Sequence, residues 1–303
     1  MFPGELRAFH VVAKTGSIRK ASEALGVAPS SVSRKIALLE HQIGTRLLER
    51  TAAGVVLTHA GSLVAEYARS VVLDYESLRA DLNDWKGNRR RLVGLAVVES
   101  ALFAGLVDAI AVFRSRFPAV SFRLNTVPAP EVVDEVKRGG CDLGLTFCCP
   151  PQPEIVTVAR IPEPIVLAVP NAHPLARESS VHLSDLRDLV LALPEVTFGI
   201  RRILDRACHD IGMGATLNPA FSSNSFEALR NFVQQGAGVA VLPLRAVLRA
   251  GQLGTLKVLP IEHESLSETT IDIVTLQKRR IPRVVSDFLR QLVESSEADG
   301  VTV

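Results

Sequence analysis

Residues 16–40 read GSIRKASEALGVAPSSVSRKIALLE. Ser17 is a good N-cap and Gly26 permits a tight turn, so a short helix is predicted between them. A second helix begins at Pro29, because proline is tolerated in the first turn of a helix. Two helices joined by so short a turn are typical of the helix-turn-helix motif, whose second helix enters the major groove of DNA.

A short hairpin is predicted after the second helix of the motif. The segment RLLER at 46–50 leads to VVLT at 55–58, and the small residues AAG at 52–54 form the tip between them. A hairpin at this place is the wing of a winged helix-turn-helix. We therefore assign residues 1–60 to an N-terminal, all-α winged helix-turn-helix domain that binds double-stranded DNA.

The charge of the chain is divided unevenly along its length. Residues 1–60 carry eight basic and four acidic side chains, a net charge of +4, whereas the whole chain carries +2, so the remainder carries −2. A basic module on a slightly acidic body indicates phosphate contact at one end of the chain only. A net charge of this size is also common in proteins without a nucleic-acid partner. The charge therefore agrees with DNA binding but would not indicate it without the helix-turn-helix motif.

The second helix of the motif carries the candidate base-reading residues. Its apolar residues Val32, Ile36 and Leu39 form a buried face, and polar side chains lie off that face. The fork of an arginine matches O6 and N7 of guanine. The alternative is an ordinary solvated helix face. The candidate DNA contacts are Ser30, Ser31, Ser33, Arg34 and Lys35 on this helix, with Arg50 and Thr51 in the wing.

A long helix is predicted from about Thr58 to Trp85. Its apolar residues recur at spacings of four and three, an unbroken a/d seam over three heptads. We expect the seam to pair with its copy in a second subunit, and packing on the chain's own body is the alternative. Residues 61–90 are assigned to this dimerisation linker and the hinge after it. The seam consists of Val64, Ala68, Val71, Tyr75, Leu78, Leu82 and Trp85.

Strands and helices alternate after Leu92. This rhythm predicts an α/β fold with a parallel sheet, and one of its helices is expected to run unbroken from Leu102 to Phe117. A second unit starts at Ile165, after the proline-rich stretch PPQP at 150–153. Such folds bind ligands in a cleft at the carboxyl ends of parallel strands.

The last predicted strand and helix return to the first unit of this body. We therefore expect an effector-binding domain over 91–303, made of two lobes with crossing connections. Lobe one comprises about 91–162 and 269–303, and lobe two comprises about 163–268.

The chain resembles the LysR-type transcriptional regulators over nearly its whole length. The most specific part lies between 21 and 61, and weaker echoes are GCDL (140–143), VPNAHPL (169–175) and GAGVAVLP (236–243). The resemblance implies an effector domain like that of periplasmic binding proteins, and a homotetramer built as a dimer of dimers. It implies binding to an interrupted inverted repeat at a promoter, with RNA polymerase as a further candidate partner.

A small effector in the cleft is also implied by the resemblance, commonly an organic acid or an aromatic metabolite. We expect no cofactor and no metal, and a carboxylate is among the expected effector classes. For Ser100, Thr197 and Ser225 the alternative is a plain helix N-cap. The candidate effector-binding residues follow predicted strands or precede predicted helices: Ser100, Thr126, Thr146, Phe147, Thr197, Phe198, Ser223 and Asn224.

The chain departs from the family pattern at two places. The family usually has Ser or Thr at the cap of the recognition helix and often Gln next, where this chain has Ala28 and Pro29. A half-site sequence therefore cannot be carried over. A peroxide-sensing branch has a cysteine at a place similar to Cys208 and a second one nine residues upstream, where this chain has Gly199. A redox switch would lack its second thiol.

Several classes of protein are disfavoured by composition. No run of about 18 apolar residues is present and no secretory signal is visible, so we expect no membrane partner and a cytoplasmic location. The four cysteines lack the paired spacing of a zinc site.

Two other functions remain as alternatives. A solute-binding protein without a DNA role would use the α/β body alone, and the basic module argues against it. An enzyme with Cys148 or Ser100 as nucleophile lacks a G-x-S-x-G motif.

Overall fold

The computed structural model describes residues 4–51, 54–85, 91–213, 217–251, 254, 256–277 and 279–298. They fall into two compact units. The first contains the described residues up to 85 together with 279–282, and the second contains those of 91–277 and 283–298.

The first unit is a three-helix domain with a hairpin and a long final helix. Its elements are α1 (Gly4–Thr15), α2 (Ile18–Leu25), α3 (Pro29–Ile43), β1 (Leu48–Thr51), β2 (Gly54–Leu57) and α4 (His59–Trp85). The Ser17 side chain caps α2 by accepting from the amide of Lys20, and Gly26 ends that helix at φ 65°. Ala28 gives α3 no side-chain cap. The predicted winged helix-turn-helix is confirmed.

The seam of α4 is divided between two environments. Ala68 is fully buried in the core of the first unit, and Val64 and Val71 pack against the same core. Farther along the helix, Tyr75, Leu78 and Leu82 are 42%, 43% and 49% exposed. The first half of the seam therefore packs on the chain's own body, which was the alternative to pairing with a second subunit. The described residues of the second half are exposed, and we call this part the open half of the seam. The side chain of Trp85 lies outside the described residues.

The second unit contains two α/β lobes. Its strands are β3 (Arg91–Val97), β4 (Val120–Thr126), β5 (Leu143–Phe147), β6 (Ile155–Pro162), β7 (Ile165–Pro170), β8 (Val181–His182), β9 (Leu191–Pro194), β10 (Phe221–Ser223), β11 (Val239–Pro243), β12 (Leu256–Glu262) and β13 (Thr270–Leu276). Its helices are α5 (Glu99–Ala101), α6 (Val107–Arg116), α7 (Ala129–Lys137), α8 (Gly199–Asp210), α9 (Phe226–Gln234), α10 (Leu244–Gly251), α11 (Glu264–Ser267) and α12 (Arg283–Ala298).

Each lobe is built on one mixed sheet. The sheet of lobe one has the order β4-β3-β5-β13-β6, and that of lobe two has the order β10-β9-β11-β7-β12-β8. In lobe one β3 is parallel to both neighbours, as predicted, but β13 is antiparallel to β5 and β6. The predicted parallel sheet is found for β3, β4 and β5, and β13 returns to this sheet as expected. It lies antiparallel because it enters from lobe two and not through a helical crossover within its own lobe.

The predicted unbroken helix from Leu102 to Phe117 is interrupted. A wide turn over Leu102–Leu106 separates α5 from α6, and Ala104 and Gly105 have non-helical backbone angles. Gly105 has φ 78°, which a residue with a Cβ rarely adopts. The break turns the chain after α5, so that α5 begins at the end of β3 while α6 packs against α12.

A buried ion pair lies where the chain crosses between the lobes. Glu163 follows β6, is fully buried, and accepts from the amide and the guanidinium of Arg245, each at 2.9 Å. The amide of Glu163 also donates to the carbonyl of Thr269 on the second crossing segment. Burial raises the pKa of the Glu163 carboxyl, and the bonds from Arg245 oppose that effect.

Within the described part of the chain, no helix combines the length and the apolar character that crossing a bilayer requires.

Candidate functional site

The helix α3 presents its polar residues opposite a buried face. Val32, Ile36 and Leu39 pack into the core of the first unit. Ser30 and Arg34 are exposed, and the other three candidates on this helix are partly exposed. A helix held in this way offers a rigid polar surface that fits the width of the major groove.

Lys35 occupies a different position from Arg34. Its Nζ atom would lie 3.5 Å from a Cβ built on Gly4, so the ammonium lies beside the first residue of α1. The positive charge of Lys35 therefore lies at the junction of α3 and α1.

The wing is tied to the helix-turn-helix at its tip. Strands β1 and β2 are antiparallel, with Thr51 opposite Gly54, and the Val55 amide donates to the carbonyl of Gly16 at 3.0 Å. The side chain of Thr51 is exposed. The side chain of Arg50 and the tip residues 52–53 lie outside the described residues.

Glu40 and Thr58 fix the wing to the helices that flank it, and neither was among the predicted site residues. One carboxylate oxygen of Glu40 accepts from the amides of Leu47 and Leu48 at 2.7 and 3.1 Å. The Thr58 hydroxyl donates to the Arg46 carbonyl at 2.9 Å. A glutamate one turn before a helix end and a threonine at a helix start are the available sequence signals, but neither reveals these partners.

A cavity of about 410 Å³ lies between the two lobes. Lobe one contributes the ends of β3, β4 and β5 and the starts of α5 and α7, and lobe two contributes the loop before α8 and the start of α9. The expected cleft between two lobes is therefore present. Six of the eight candidate effector residues line it: Ser100, Thr126, Phe147, Thr197, Phe198 and Asn224.

The other two candidates do not line this cavity. Thr146 is buried and lies on the opposite face of β5 from Phe147, because neighbouring residues of a strand point to opposite faces. The Ser223 hydroxyl accepts from the Ser225 amide at 3.1 Å and so shapes the loop before α9.

Two carboxylates that were not among the predicted site residues also line the cavity. Glu99 accepts a hydrogen bond of 3.1 Å from the Phe226 amide, which joins lobe one to the first turn of α9 in lobe two. Burial raises the pKa of Glu99, more than the Phe226 hydrogen bond lowers it, and nearby Glu227 raises it further. Glu195 is exposed at the cavity wall. Glu99 and Glu195 each follow the end of a strand, and this position was the only sequence feature that could have identified them as cavity residues.

The two candidate nucleophiles are placed differently. Ser100 lines the cavity, whose described lining has no histidine, lysine or cysteine to activate it. Cys148 has φ 44°, and burial is the largest cause of the raised pKa of its thiol. In the described residues no group of three or more His, Cys, Asp or Glu side chains could hold a metal ion.

Comparison with known proteins shows the family of both units. Residues 3–62 match the model of the bacterial regulatory helix-turn-helix proteins of the lysR family, and residues 86–297 match the LysR substrate binding domain.

Individual relatives are similar along most of the chain. A RuBisCO operon transcriptional regulator of Allochromatium vinosum is 29% identical over 258 residues, 84% of each chain. The HTH-type transcriptional activator CmpR of Synechocystis sp. is 24% identical over 297 residues, covering 98% of this chain and 96% of that one.

A full-length OxyR variant from Pseudomonas aeruginosa shares the fold, with a TM-score of 0.70 at 21% identity over 98% of this chain and 95% of that chain. These comparisons give no support to a solute-binding protein without a DNA role. The chain therefore belongs to the LysR family: it is a DNA-binding transcriptional regulator with an effector-binding domain, and it is not an enzyme.

Proposed function

We propose that the protein reads an inverted repeat in promoter DNA with the exposed face of α3. The observation that carries this proposal is the exposure of Ser30 and Arg34 on a helix whose opposite face is buried in the core. Arg34 reads a guanine edge, because its guanidinium can donate two parallel hydrogen bonds to O6 and N7.

The remaining DNA candidates are assigned to positioning. Ser30, Ser31 and Ser33 lie in the first turns of α3, where hydroxyls and backbone amides suit phosphate or base contact. Lys35 contacts phosphate from its place beside α1. Arg50 and Thr51 contact the backbone from the wing. The assignments on α3 and of Thr51 follow from exposure and charge, and that of Arg50 follows from the sequence alone. The half-site sequence stays open because the cap and the residue after it are Ala28 and Pro29.

The protein self-associates through the open half of the α4 seam. Tyr75, Leu78 and Leu82 are exposed at a/d spacing. Pairing this half with its copy buries large apolar side chains that the described residues leave in water. A dimer formed in this way places two copies of α3 on the two half-sites of a palindrome. The homotetramer is an extension of the same proposal by family resemblance.

A small organic ligand occupies the cavity between the lobes and changes DNA binding. Six of the sequence candidates line this cavity, and Glu99 spans it, so a ligand there bears on the spacing of the lobes. Contact with RNA polymerase and a cytoplasmic location belong to the same proposal. The domain limits that we propose are 1–60, 61–90 and 91–303.

Capture of genomic DNA tests this function. The purified full chain is mixed with fragmented genomic DNA of its source at moderate salt, and retained fragments are sequenced. A few promoter fragments that share an inverted repeat are expected, and Arg34→Ala should lose that enrichment while Arg19→Ala, an exposed arginine on α2, keeps it. Uniform retention of all fragments, or none, would contradict the proposal.

A further inference from the structure

The wall of the cavity carries negative charge without a balancing cationic side chain. Among the described residues that line it, Glu99 and Glu195 are the ionisable ones, and no lysine, arginine or histidine is present. The first turn of α8 has two arginines, and neither lines the cavity. Arg201 is turned away, because its guanidinium pairs with Asp205 and donates to the carbonyl of Pro194, and Arg202 is exposed.

Among the described lining residues, which include no cationic side chain, positive potential comes from helix ends. The helices α7, α8 and α9 begin at the cavity, and each N-terminus acts as about half a positive charge. The helix α5 also begins there, but it has only three residues and a correspondingly small dipole. The α9 end is already matched by Glu99, whose carboxylate accepts from the first amide of that helix. The N-termini of α7 and α8 have no side-chain cap. Two partial charges do not offset two full negative ones, so the lining is net acidic.

The carboxylate oxygens of Glu99 and Glu195 can accept further hydrogen bonds from a ligand. One oxygen of Glu99 accepts from Phe226, and its other oxygen has no partner among the described residues. Glu195 has no side-chain partner among the described residues. Ser100 is 2% exposed, lines the cavity, and its hydroxyl also has no partner in the described part of the chain. An unpartnered hydroxyl at a cavity wall offers a hydrogen bond to a polar group that is supplied from outside.

Apolar and aromatic side chains also line the wall, beside the polar residues Thr126, Thr197 and Asn224. Phe147, Phe198 and Phe226 line the cavity, and the rings of Phe198 and Phe226 meet edge to face with centroids 5.3 Å apart. Aromatic faces attract organic cations and also bind apolar groups. The wall thus suits a ligand with a positive head and an apolar body.

We propose that the effector is a small organic amine, whose ammonium donates to Glu99 and Glu195 and to the Ser100 hydroxyl, while its apolar body packs on the phenylalanines. This inference rests on the proposed function of the cavity, and it replaces the carboxylate that family resemblance favours. Glu99 already accepts a hydrogen bond from the first turn of α9 in the other lobe. An ammonium bound to Glu99 therefore changes the contact between the two lobes.

Matched ligands test the charge of the effector. The full chain is titrated with 3-phenylpropylamine, 3-phenylpropanol and 3-phenylpropanoate, and with hexylamine, hexanol and hexanoate, by calorimetry and thermal unfolding. In each series the amine should bind and stabilise, the alcohol less so, and the carboxylate not at all. Equal or tighter binding of the carboxylates, or binding of no amine, overturns the inference.

Substitution of Glu99 and Glu195 tests whether the amine binds to these two carboxylates. Glu99→Gln and Glu195→Gln should each weaken amine binding by about tenfold or more, the loss expected for one charge-assisted hydrogen bond. Glutamine keeps an acceptor for the Phe226 amide, so Glu99→Gln should stay folded. Glu131→Gln, an exposed carboxylate of α7 outside the lining, is the control. Unchanged amine binding in both cavity variants overturns the inference.

The pH dependence provides a second readout. Burial raises the pKa of Glu99, and protonation removes the charge that binds the ammonium, so amine binding should weaken as the pH falls through this raised value. Glu99→Gln should flatten that dependence, and a wild-type profile identical to the variant's contradicts the role of Glu99. DNA capture is scored in parallel: retained DNA without amine binding refutes this inference alone, and amine binding without DNA retention refutes the proposed function.

Discussion

The carboxylate of Glu40 on α3 accepts a hydrogen bond of 2.7 Å from the amide of Leu47 at the base of the wing. The same oxygen accepts from the next amide at 3.1 Å. Leu47 itself is fully buried and Leu48 is partly buried, so the Leu47 amide has the less access to water. The side chain of Glu40 therefore links the helix that we propose reads DNA directly to the hairpin beside it.

Removal of that carboxylate should loosen the wing. Glu40→Ala leaves two amides without their acceptor, and a buried donor left unsatisfied costs about 1–3 kcal/mol. We expect a lower free energy of unfolding and weaker DNA binding, measured by urea titration and fluorescence anisotropy. Glu40→Gln keeps one acceptor oxygen and should lose less. Equal stability of the alanine variant and the wild type would show that the contact does not matter.

Arg34 should carry base discrimination. Arg34→Ala is expected to cost about 1–3 kcal/mol of specific binding and to relax selectivity at one base position. Arg34→Lys keeps the charge but loses the two-pronged geometry, so it should retain non-specific affinity and still lose selectivity. The readout is a competition assay against single-base variants of the captured site. A lysine variant with full selectivity would remove Arg34 from the reading role.

The open half of the linker seam should hold the dimer. Leu78→Asp places a charge in the proposed apolar interface and should convert the dimer to monomers in sedimentation velocity. Leu63→Asp is the matched control, because Leu63 is 60% exposed on the same helix but lies outside the seam. A Leu78 variant that stays dimeric at low micromolar concentration would contradict pairing through this face.

The buried ion pair at the lobe crossing should dominate the stability of that region. Arg245→Met leaves the Glu163 carboxylate buried without its cation, and loss of one partner of a buried pair costs about 3–5 kcal/mol. Arg138→Met breaks the more exposed pair with Glu135 and should cost about 1 kcal/mol or less. Chemical denaturation of both variants makes the comparison, and equal losses would argue against a special role for the buried pair.

Peroxide should leave DNA binding unchanged. Cys208 is buried, burial is the largest cause of the raised pKa of its thiol, and the thiolate is the form that reacts. Treatment with hydrogen peroxide followed by a DNA titration should match the untreated protein, and Cys208→Ser should behave like the wild type. Peroxide sensitivity that disappears in the serine variant would restore the redox alternative.

Local signals explain what could be predicted of the fold. The Ser17 cap, the Gly26 turn and the Pro29 start depend on neighbouring residues, so the helix-turn-helix could be derived from the sequence with correct ends. The break at Gly105 could not, because a single glycine inside a helical pattern is usually tolerated. Strands β6 and β12 were not predicted, since partners distant in the chain, β13 and β7, define them.

The candidate site, like the fold, has features that local sequence signals predict and features that depend on contacts between distant residues. Residues at strand ends could be named as cavity candidates because the carboxyl ends of strands meet at one edge of a sheet, and Phe147 and Thr126 do line the cavity. The acidic character of its wall could not be predicted. It depends on Glu99 reaching Phe226 across the cleft and on Arg201 turning away to Asp205, and both are contacts of the folded chain.

A hydroxyl-radical footprint on a captured promoter fragment tests the central claim most directly. A dimer that inserts two copies of α3 should protect two symmetric half-sites on one face of the duplex, separated by whole turns of about 10 base pairs. Arg34→Ala should remove both protected patches together. A single unsymmetric patch, or protection that survives this substitution unchanged, would contradict reading of an inverted repeat by α3.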